Sequence, residues 1–246
     1  MKKLALVLGV LLLSATSVVA EECSVKIQQD LRLSNQALAV LEDKQALYEI
    51  RQHGYLSIGG EPVKLSSSQR AMAEQYAGDL AAMAARWIIA ATEALELTSR
   101  GMETVLSEAL GPDDPVSVKA IEALEQARSR FEQRSILGDG AYLLHATDYN
   151  DLGESMEDEL EDVGSQVTSA LLTEIGKTIR SDELSFKQKL EAFGASMRRV
   201  GEEIGYAGKI LEDTSVELCL GMGELRRAER KLQKEIPQLE DYSLFR

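Results

Sequence analysis

Residues 54–69, GYLSIGGEPVKLSSSQ, decide the fold, because the hydrophobic pattern changes within them from a period of two to a helical period. The first part predicts a β-hairpin, since the Gly59-Gly60 pair tolerates the positive φ angles that a tight two-residue loop requires. The last part predicts a helix start, because Ser66 followed three residues later by Gln69 is the capping-box pattern. We place the boundary at Leu65, and the change of pattern predicts an α+β protein.

The register of the hairpin follows from the same residues. We expect Ile58 to face Glu61 as the pair that closes the loop. Leu56 then faces Val63 on the same side of the hairpin. Pro62 falls at a position where its missing N–H points away from the partner strand, which indicates an edge strand or one that ends early.

Towards the N-terminus, residues 21–65 form a predicted antiparallel β segment. Short runs of alternating apolar residues are separated by turn residues, which is typical of half-buried strands. The apolar positions are Val25, Ile27, Leu38, Val40, Ala46, Tyr48, Ile50, Leu56, Ile58, Val63 and Leu65. A further short strand is predicted at residues 141–145, an apolar run between turn residues.

Towards the C-terminus, residues 66–246 form a predicted helical region. Apolar or small residues of the first helix alternate in spacing between four and three, which is a heptad pattern. They are Tyr76, Leu80, Met83, Trp87, Ala90, Ala94 and Leu97. The fold class that we expect is α+β and mostly α: the N-terminal β segment followed by long amphipathic helices in antiparallel, coiled-coil-like hairpins or a bundle.

The later helices are predicted from caps and periodicity. A second helix is expected to start at an Asp114 cap with Pro115 in its first turn and to end at Gly138 and Gly140. The remaining predicted helices cover residues 151–179, residues 186–211, and a last stretch up to Pro237. The tail beyond Pro237 is expected to fray.

Residues 1–20 are typical of a cleavable secretory signal peptide. Lys2 and Lys3 precede an apolar run, and small residues precede the expected cleavage after Ala20, which makes Glu21 the first residue of the mature chain. The apolar run is too short to anchor the protein, and no other segment approaches the roughly twenty apolar residues that a membrane span requires. We therefore expect an exported protein with no stable membrane insertion after cleavage.

The chain has two cysteines, Cys23 and Cys219, near the two ends of the mature chain. An even cysteine count in an exported chain favours a disulfide. Such a bridge would join the N-terminal segment to the last long helix, and loop closure over this length is worth about 5 kcal/mol in the chain-entropy model. Two distant cysteines and two distant histidines lack the spacing of zinc ligands, and no cofactor is predicted.

The chain is strongly acidic, with a formal charge of −14 at pH 7. Removal of Lys2 and Lys3 with the signal peptide makes it more negative still. This charge disfavours nucleic acid as a partner, because both would be negative. The basic residues between 226 and 234 alternate with Glu224, Glu229 and Glu235, which is typical of a salt-bridged surface.

The acidic stretch that begins at Asp148 imitates part of a calcium-binding loop. Asp148, Asn150 and Glu159 match the pattern, but Leu152 stands where a further oxygen ligand is needed. A solvated acidic helix start explains these residues without a metal, because carboxylates are favourable at the positive end of a helix dipole. No catalytic residues are predicted, since Ser155 lacks the second glycine of a nucleophile elbow.

One segment resembles a known family. Residues 54–60, GYLSIGG, are followed by Val63-Lys64-Leu65, Gln69-Arg70 and then Tyr76, Leu80 and Trp87. This pattern, together with an exported start and cysteines near both ends, resembles the YggN-like family of gammaproteobacterial periplasmic proteins, whose function is unknown. The resemblance is sharpest over residues 45–87. It implies a periplasmic location and pairing of Cys23 with Cys219, and it implies no catalytic residues.

These observations favour a non-enzymatic exported protein that binds other envelope proteins, or itself, through amphipathic helices. Two alternatives stay open. An enzyme or small-ligand carrier would have its site between the β segment and the helices, in a pocket with convergent polar groups. A chaperone-like holding protein would expose apolar surface.

Overall fold

The structure of the chain, a computed structural model, describes residues 25–109, 111, 113–151, 169, 173 and 216–246. It is an α+β protein with an antiparallel sheet and long helices, as the sequence predicts. The described residues belong to two compact units. The described residues of the sheet unit are 25–91, 131–151 and 216–246, and those of the helical unit are 92–109, 111, 113–130, 169 and 173. Each unit therefore combines segments that are distant in the sequence.

The sheet of the described residues has seven strands, and neighbouring strands are antiparallel. They are β1 (Asp30–Leu33), β2 (Ala37–Glu42), β3 (Gln45–Arg51), β4 (Tyr55–Ile58), β5 (Glu61–Pro62), β6 (Ile136–Gly138) and β7 (Ala141–Leu144). Their order across the sheet is β5-β4-β3-β2-β1-β7-β6. The two edges of the sheet are therefore β5 and β6.

Two rows of side chains cross the sheet on its buried face. The first row is Leu33, Leu38, Ile50 and Leu56, and the second is Leu144, Leu31, Val40 and Tyr48. The members of each row face one another on adjacent strands, and cross-strand pairs of this kind stabilise a sheet. Leu31 and Leu33 are the buried residues of β1, a strand that was not predicted from the sequence.

The hairpin predicted at Gly59-Gly60 is confirmed together with its register. Ile58 faces Glu61 across the loop, and both loop glycines have positive φ. Pro62 lies in β5, at the edge of the sheet, as its missing N–H indicates.

The continuous described stretches contain the α-helices α1 (Ser67–Ala109), α2 (Pro115–Ser135), α3 (Ala146–Asn150) and α4 (216–235). The capping box of α1 is confirmed, because the Ser66 N–H donates to Gln69 Oε1 at 2.9 Å and the Gln69 N–H donates to Ser66 Oγ at 3.3 Å. The predicted cap of α2 is also confirmed, since Asp114 Oδ1 accepts a hydrogen bond from the Val116 N–H at 2.8 Å.

The end of α2 differs from the prediction. The helix stops at Ser135, before Gly138 and Gly140, because β6 pairs with β7 immediately afterwards. The strand predicted at residues 141–145 is thereby confirmed as β7. The helices predicted at residues 151–179 and 186–211 lie outside the described residues, apart from Asp151 and the helical positions 169 and 173.

The buried face of α1 in the sheet unit departs from the predicted heptad pattern after Leu80. Met83, Trp87 and Ala90 are half-buried. The fully buried positions are Ala73, Tyr76, Leu80, Ala84, Ile88 and Ala91. A straight α-helix has 3.6 residues per turn and drifts away from a strict seven-residue repeat, so the buried face moves by one residue. The coiled-coil-like hairpin arrangement stays a prediction.

The first part of α1 packs against α4, and the two helices run in opposite directions. Residue numbers rise along α1 as those of their partners fall along α4. The contacting pairs are Gln69 with Glu235, Tyr76 with Glu229, Met83 with Gly221, and Arg86 with Glu217. The sheet unit therefore brings residues near the C-terminus against the helix that follows the β-hairpin.

The two chain ends also differ from expectation. Val25 and Ile27 were predicted in a strand, whereas Ile27 forms only an isolated antiparallel bridge with Phe245. The expectation that the tail frays is wrong, because a short 3-10 helix at Pro237–Leu239 is followed by Leu244, which is 0% exposed. The tail is fixed by a segment at the opposite end of the chain, and no local pattern reveals such a contact.

Candidate functional site

A buried carboxylate interrupts the apolar face of α4. The buried positions of this helix and the residue after it are Leu218, Met222, Leu225, Glu229, Leu232 and Ile236. Glu229 is only 2% exposed, so the salt-bridged surface predicted around residues 224–235 is wrong at this position. The spacing of four and three residues from its apolar neighbours was the sequence signal that could have placed Glu229 inside.

Glu229 accepts hydrogen bonds from the C-terminal tail. The Leu244 N–H donates to Oε1 at 2.7 Å, and the Phe245 N–H donates to Oε2 at 3.4 Å. The hydroxyls of Ser243 and Tyr76 also donate to the carboxylate, at 3.2 and 3.5 Å. Burial raises the pKa of Glu229 above its ordinary value, and these hydrogen bonds offset only part of that rise. The carboxylate therefore holds the tail in place.

Two buried tyrosines complete this cluster. Burial raises the pKa of Tyr48 on β3, and the charge of Glu229 adds to the rise. Burial likewise raises the pKa of Tyr76 on α1, where Tyr48 and Glu229 are close by. Both phenols consequently stay protonated at ordinary pH, which suits hydrogen-bond donors in a protein interior.

The tail held by Glu229 pairs in turn with the N-terminal segment. The Gln28 N–H donates to the Leu244 carbonyl, and the Arg246 N–H donates to the Lys26 carbonyl, both at 2.9 Å. On the other side, the Asn150 side-chain amide accepts from the Ile27 N–H at 3.1 Å and donates to the Ile27 carbonyl at 2.8 Å. The C-terminal tail is thus joined to residues 26–28 of the sheet unit by backbone hydrogen bonds.

A histidine and a carboxylate join β1 to the end of β7. His145 Nδ1 lies 2.9 Å from Asp30 Oδ2, and the Ala146 N–H donates to Asp30 Oδ1 at 2.9 Å. The hydrogen bond to Asp30 raises the pKa of His145, although partial burial opposes it. Burial acts to raise the pKa of Asp30, but the hydrogen bonds from His145 and Ala146 outweigh it, and the pKa is lowered.

An ion pair and an aromatic group lie in the same unit. Arg134 Nη2 is 2.7 Å from Asp148 Oδ1, and Asp148 is 2% exposed. The half-buried Trp87 lies between aromatic rings, 6.2 Å from that of Phe131 and 5.7 Å from that of Tyr149. Burial raises the pKa of Tyr149 to about 12. Trp87 therefore packs against the rings of Phe131 and Tyr149 within the protein.

The residues of the predicted calcium-loop imitation have different partners. Asp148 pairs with Arg134, and the Asn150 side chain binds the backbone of Ile27. Glu159 lies outside the described residues. Within the described part of the chain, no group of three or more His, Cys, Asp or Glu side chains could hold a metal ion.

The other predicted site residues lie mainly outside the described residues. Cys23, Ala20 and Glu21 are outside the described residues, whereas Cys219 is a half-buried residue of α4. Pairing of Cys23 with Cys219 and cleavage after Ala20 stay predictions. Among the helices of the described ranges, none is long and apolar enough to cross a membrane.

The β6 edge of the sheet is apolar and exposed. Ile136 and Leu137 are 43% and 48% exposed. Ile136 faces Tyr142 and Gly138 faces Ala141, so Leu137 is the extra residue of a β-bulge. Bulges at sheet edges commonly redirect a side chain, and here the bulge leaves Leu137 without a cross-strand neighbour.

The fold and these contacts define an α+β protein whose sheet unit holds the C-terminal tail through a buried carboxylate and carries an exposed apolar edge. The chain belongs to the family described as protein of unknown function (DUF2884), whose model matches residues 23–245. No curated protein matches the chain. No solved structure matches it either.

Proposed function

We propose that this protein is an exported, non-enzymatic envelope protein that binds an extended segment of another polypeptide along the β6 edge. The observation that carries the proposal is the exposure of Ile136 and Leu137, 43% and 48%, on an edge strand that contains no proline. Proteins normally protect sheet edges with charges, prolines or covering segments, because free edges pair readily with other chains.

The chemistry of the edge suggests how a partner would bind. An extended segment that adds a strand gains main-chain hydrogen bonds, and side-chain contacts give it specificity. Leu137, which the bulge leaves without a cross-strand neighbour, supplies an apolar anchor beside Ile136. The formal charge of −14 favours a basic segment and disfavours a second copy of this chain.

The buried titratable groups support a role without catalysis. Glu229 binds the tail, Asp30 binds His145 and the N–H of Ala146, and Asp148 binds Arg134. Each of these groups has a protein partner that fixes a backbone segment or another side chain. This pattern favours a stabilised scaffold, although Asp148 Oδ2 and Arg134 Nε are buried without a hydrogen-bond partner among the described residues.

The periplasm is the compartment that we propose, with cleavage after Ala20 and a disulfide between Cys23 and Cys219. The signal-like residues 1–20, the resemblance to the YggN-like family and the absence of a free cysteine among the described residues support this proposal. Cell fractionation and the intact mass of the exported protein test it. Thiol labelling without reduction, or a mass that retains residues 1–20, would overturn it.

The β6 edge is tested by placing a charge on it. Leu137→Lys should remove partner binding, because a lysine on the edge strand disfavours strand addition. Ile89→Lys is the matched control, since Ile89 is 47% exposed but lies on α1. Cross-linked complexes of both variants and of the original protein, purified from the periplasm and compared by mass spectrometry, measure the difference.

The position of the partner is tested by hydrogen exchange on the purified complex. The amides of residues 136–138 should become protected, and the protection should vanish for Leu137→Lys. A partner that is retained by Leu137→Lys would contradict the proposal, as would protection only at other segments. If light scattering instead shows a stable dimer that Leu137→Lys dissolves, the occupant is a second copy of the chain.

A further inference from the structure

A cationic depression lies near the opposite edge of the sheet, where β4 and the segment after β5 meet the start of α1. Its volume is about 260 Å3, and it is lined by Gly54, Tyr55, Leu56, Val63, Lys64, Leu65 and Arg70. All of these residues lie between positions 54 and 70, in the part of the sequence that carries the family resemblance. We infer that this depression binds small amphiphilic carboxylates, with a charged head group at Lys64 and Arg70 and a short apolar tail against the leucine and valine side chains.

The walls of the depression are held rigidly. Gly54 has a φ of +70°, and a Cβ added there would lie 1.9 Å from the carbonyl oxygen of Arg70. The backbone next to β4 is thus in direct contact with the backbone of α1. A site built from such contacts is formed before a ligand arrives, which reduces the entropy lost on binding.

The charge of the depression contrasts with that of the whole chain. The sequence has 41 acidic and 27 basic residues, yet neither Lys64 nor Arg70 has an ion-pair partner among the described residues. The Arg70 guanidinium lies 5.5 Å from the ring centre of Tyr55, which is 56% exposed. Glu74 accepts a hydrogen bond from the His53 N–H at 3.2 Å and forms no ion pair with Arg70 among the described residues. Two cations are therefore available to an anion from solution.

The size and lining restrict the ligand. The half-buried Val63 and Leu65 give the depression an apolar wall beside its two cations, whereas the Leu56 side chain is only 3% exposed. Its volume is just below the range of about 300–1,000 Å3 that is typical of small-molecule pockets. A single carboxylate with an apolar group the size of one amino-acid side chain matches these limits. The guanidinium of Arg70 suits the head group, since its geometry matches a carboxylate.

Binding can be measured by NMR titration of the full mature chain with three probes. N-acetyl-leucine has both the carboxylate and the tail, N-acetyl-leucinamide has the tail without the charge, and acetate has the charge without the tail. We expect saturable shifts of the amides of residues 54–56 and 63–70 with N-acetyl-leucine, and at least a tenfold weaker affinity for the other two. The affinity should fall as salt is added, because the attraction is electrostatic.

Variants separate this site from general attraction. Lys64→Gln and Arg70→Gln should each weaken binding of N-acetyl-leucine about tenfold, whereas Lys119→Gln, an exposed lysine of α2, should leave it unchanged. The inference is overturned if N-acetyl-leucinamide binds as tightly as the acid, if the Lys119 variant weakens binding equally, or if no saturable shift occurs. Leu137→Lys should not affect this titration. The proposal for the depression and the proposal for the β6 edge are therefore tested independently.

Discussion

The two edges of the sheet differ in how they are closed. At the β5 edge, Pro62 lacks the N–H that an added strand would need, and Gly54 beside β4 is in contact with the Arg70 backbone in α1. At the β6 edge, Ile136 and Leu137 are exposed on a strand that follows α2 directly. One edge is thus protected by a proline, and the other presents apolar side chains.

The difference also concerns what holds each side together. The β5 side is fixed by steric contact between backbones, which does not depend on pH. On the β6 side, the adjacent strand β7 is joined to β1 by the Asp30–His145 pair, which titrates. The apolar edge thus adjoins a strand that is held by a charge pair and a ladder between residues distant in sequence, whereas the protected edge is built from residues that are close in sequence.

The largest expected effect is at the protected edge. Gly54→Ala should destabilise the protein by at least about 3 kcal/mol, because the new Cβ would overlap the Arg70 carbonyl and the backbone has positive φ. Urea unfolding followed by circular dichroism measures the loss. Gly78→Ala is the control, since nothing lies within 4 Å of its Cβ position in α1, and it should stabilise by about 0.5–1 kcal/mol. Equal stability of both variants would refute the close contact.

The next effect concerns the core between the edges. Glu229→Ala should cost about 2–4 kcal/mol, because it leaves the buried N–H groups of Leu244 and Phe245 without an acceptor. Hydrogen exchange at residues 243–246 should accelerate as the tail detaches. Glu224→Ala on the exposed side of α4 is the matched control and should change stability by less than about 0.5 kcal/mol. A tail that stays protected in the Glu229 variant would contradict the assignment.

A smaller, pH-dependent effect is expected beside the β6 edge. The pKa of His145 is raised by Asp30, so its contribution to stability is present below the ordinary histidine value of about 6.5 and is lost as pH rises through the folded value. The pKa of Asp30 is lowered, so its contribution is lost as pH falls below the ordinary aspartate value of about 3.9 towards the folded value. The pair should therefore stabilise most between about pH 4 and 6.5.

His145→Gln tests this window. We expect it to lower the free energy of unfolding by about 1 kcal/mol near pH 5 and by less at pH 8. His53→Gln is the control, because the side chain of His53 is 80% exposed and lies 3.8 Å from Glu74. Urea unfolding of both variants across this pH range decides the matter, and a pH-independent loss for His145→Gln would exclude the charge pairing.

The smallest effect on folding is expected at the β6 edge itself. Leu137→Lys should change stability by less than about 0.5 kcal/mol, because its side chain is about half exposed and has no cross-strand neighbour. Thermal unfolding measures this change, and a large loss of stability would show that the Leu137 side chain packs in the hydrophobic core. A stable variant that no longer binds its partner would separate the function of the edge from its folding.

Local patterns in the sequence predicted local structure well. The loop glycines and Pro62 defined the hairpin and its register, and the Ser66 and Asp114 caps defined the starts of two helices. These signals depend on residues within a few positions of one another, so they need no knowledge of the rest of the chain. The short strand at 141–145 was also predicted, but not its partner β1.

Longer-range features were missed for physical reasons. Glu229 looks like a surface residue among charged neighbours, and only the tail and Tyr76 make its burial favourable. Asp30 and His145 are 115 positions apart, and only the pairing of β1 with β7 brings them together. The buried positions of α1 were predicted from a strict seven-residue repeat. In the sheet unit they instead follow the 3.6-residue turn of a straight helix, so they shift by one residue after Leu80.

By itself, the sequence determined the class of fold, the hairpin at 54–69 and the start of the first helix, because turn geometry and helix capping are satisfied within a few residues. It also determined the charge of the chain, which disfavours nucleic-acid partners. The strands that form the sheet edges, the burial of Glu229 and the pairing of the C-terminal tail with residues 26–28 follow from tertiary contacts alone. Those outcomes depend on hydrogen bonds between segments that no local pattern connects.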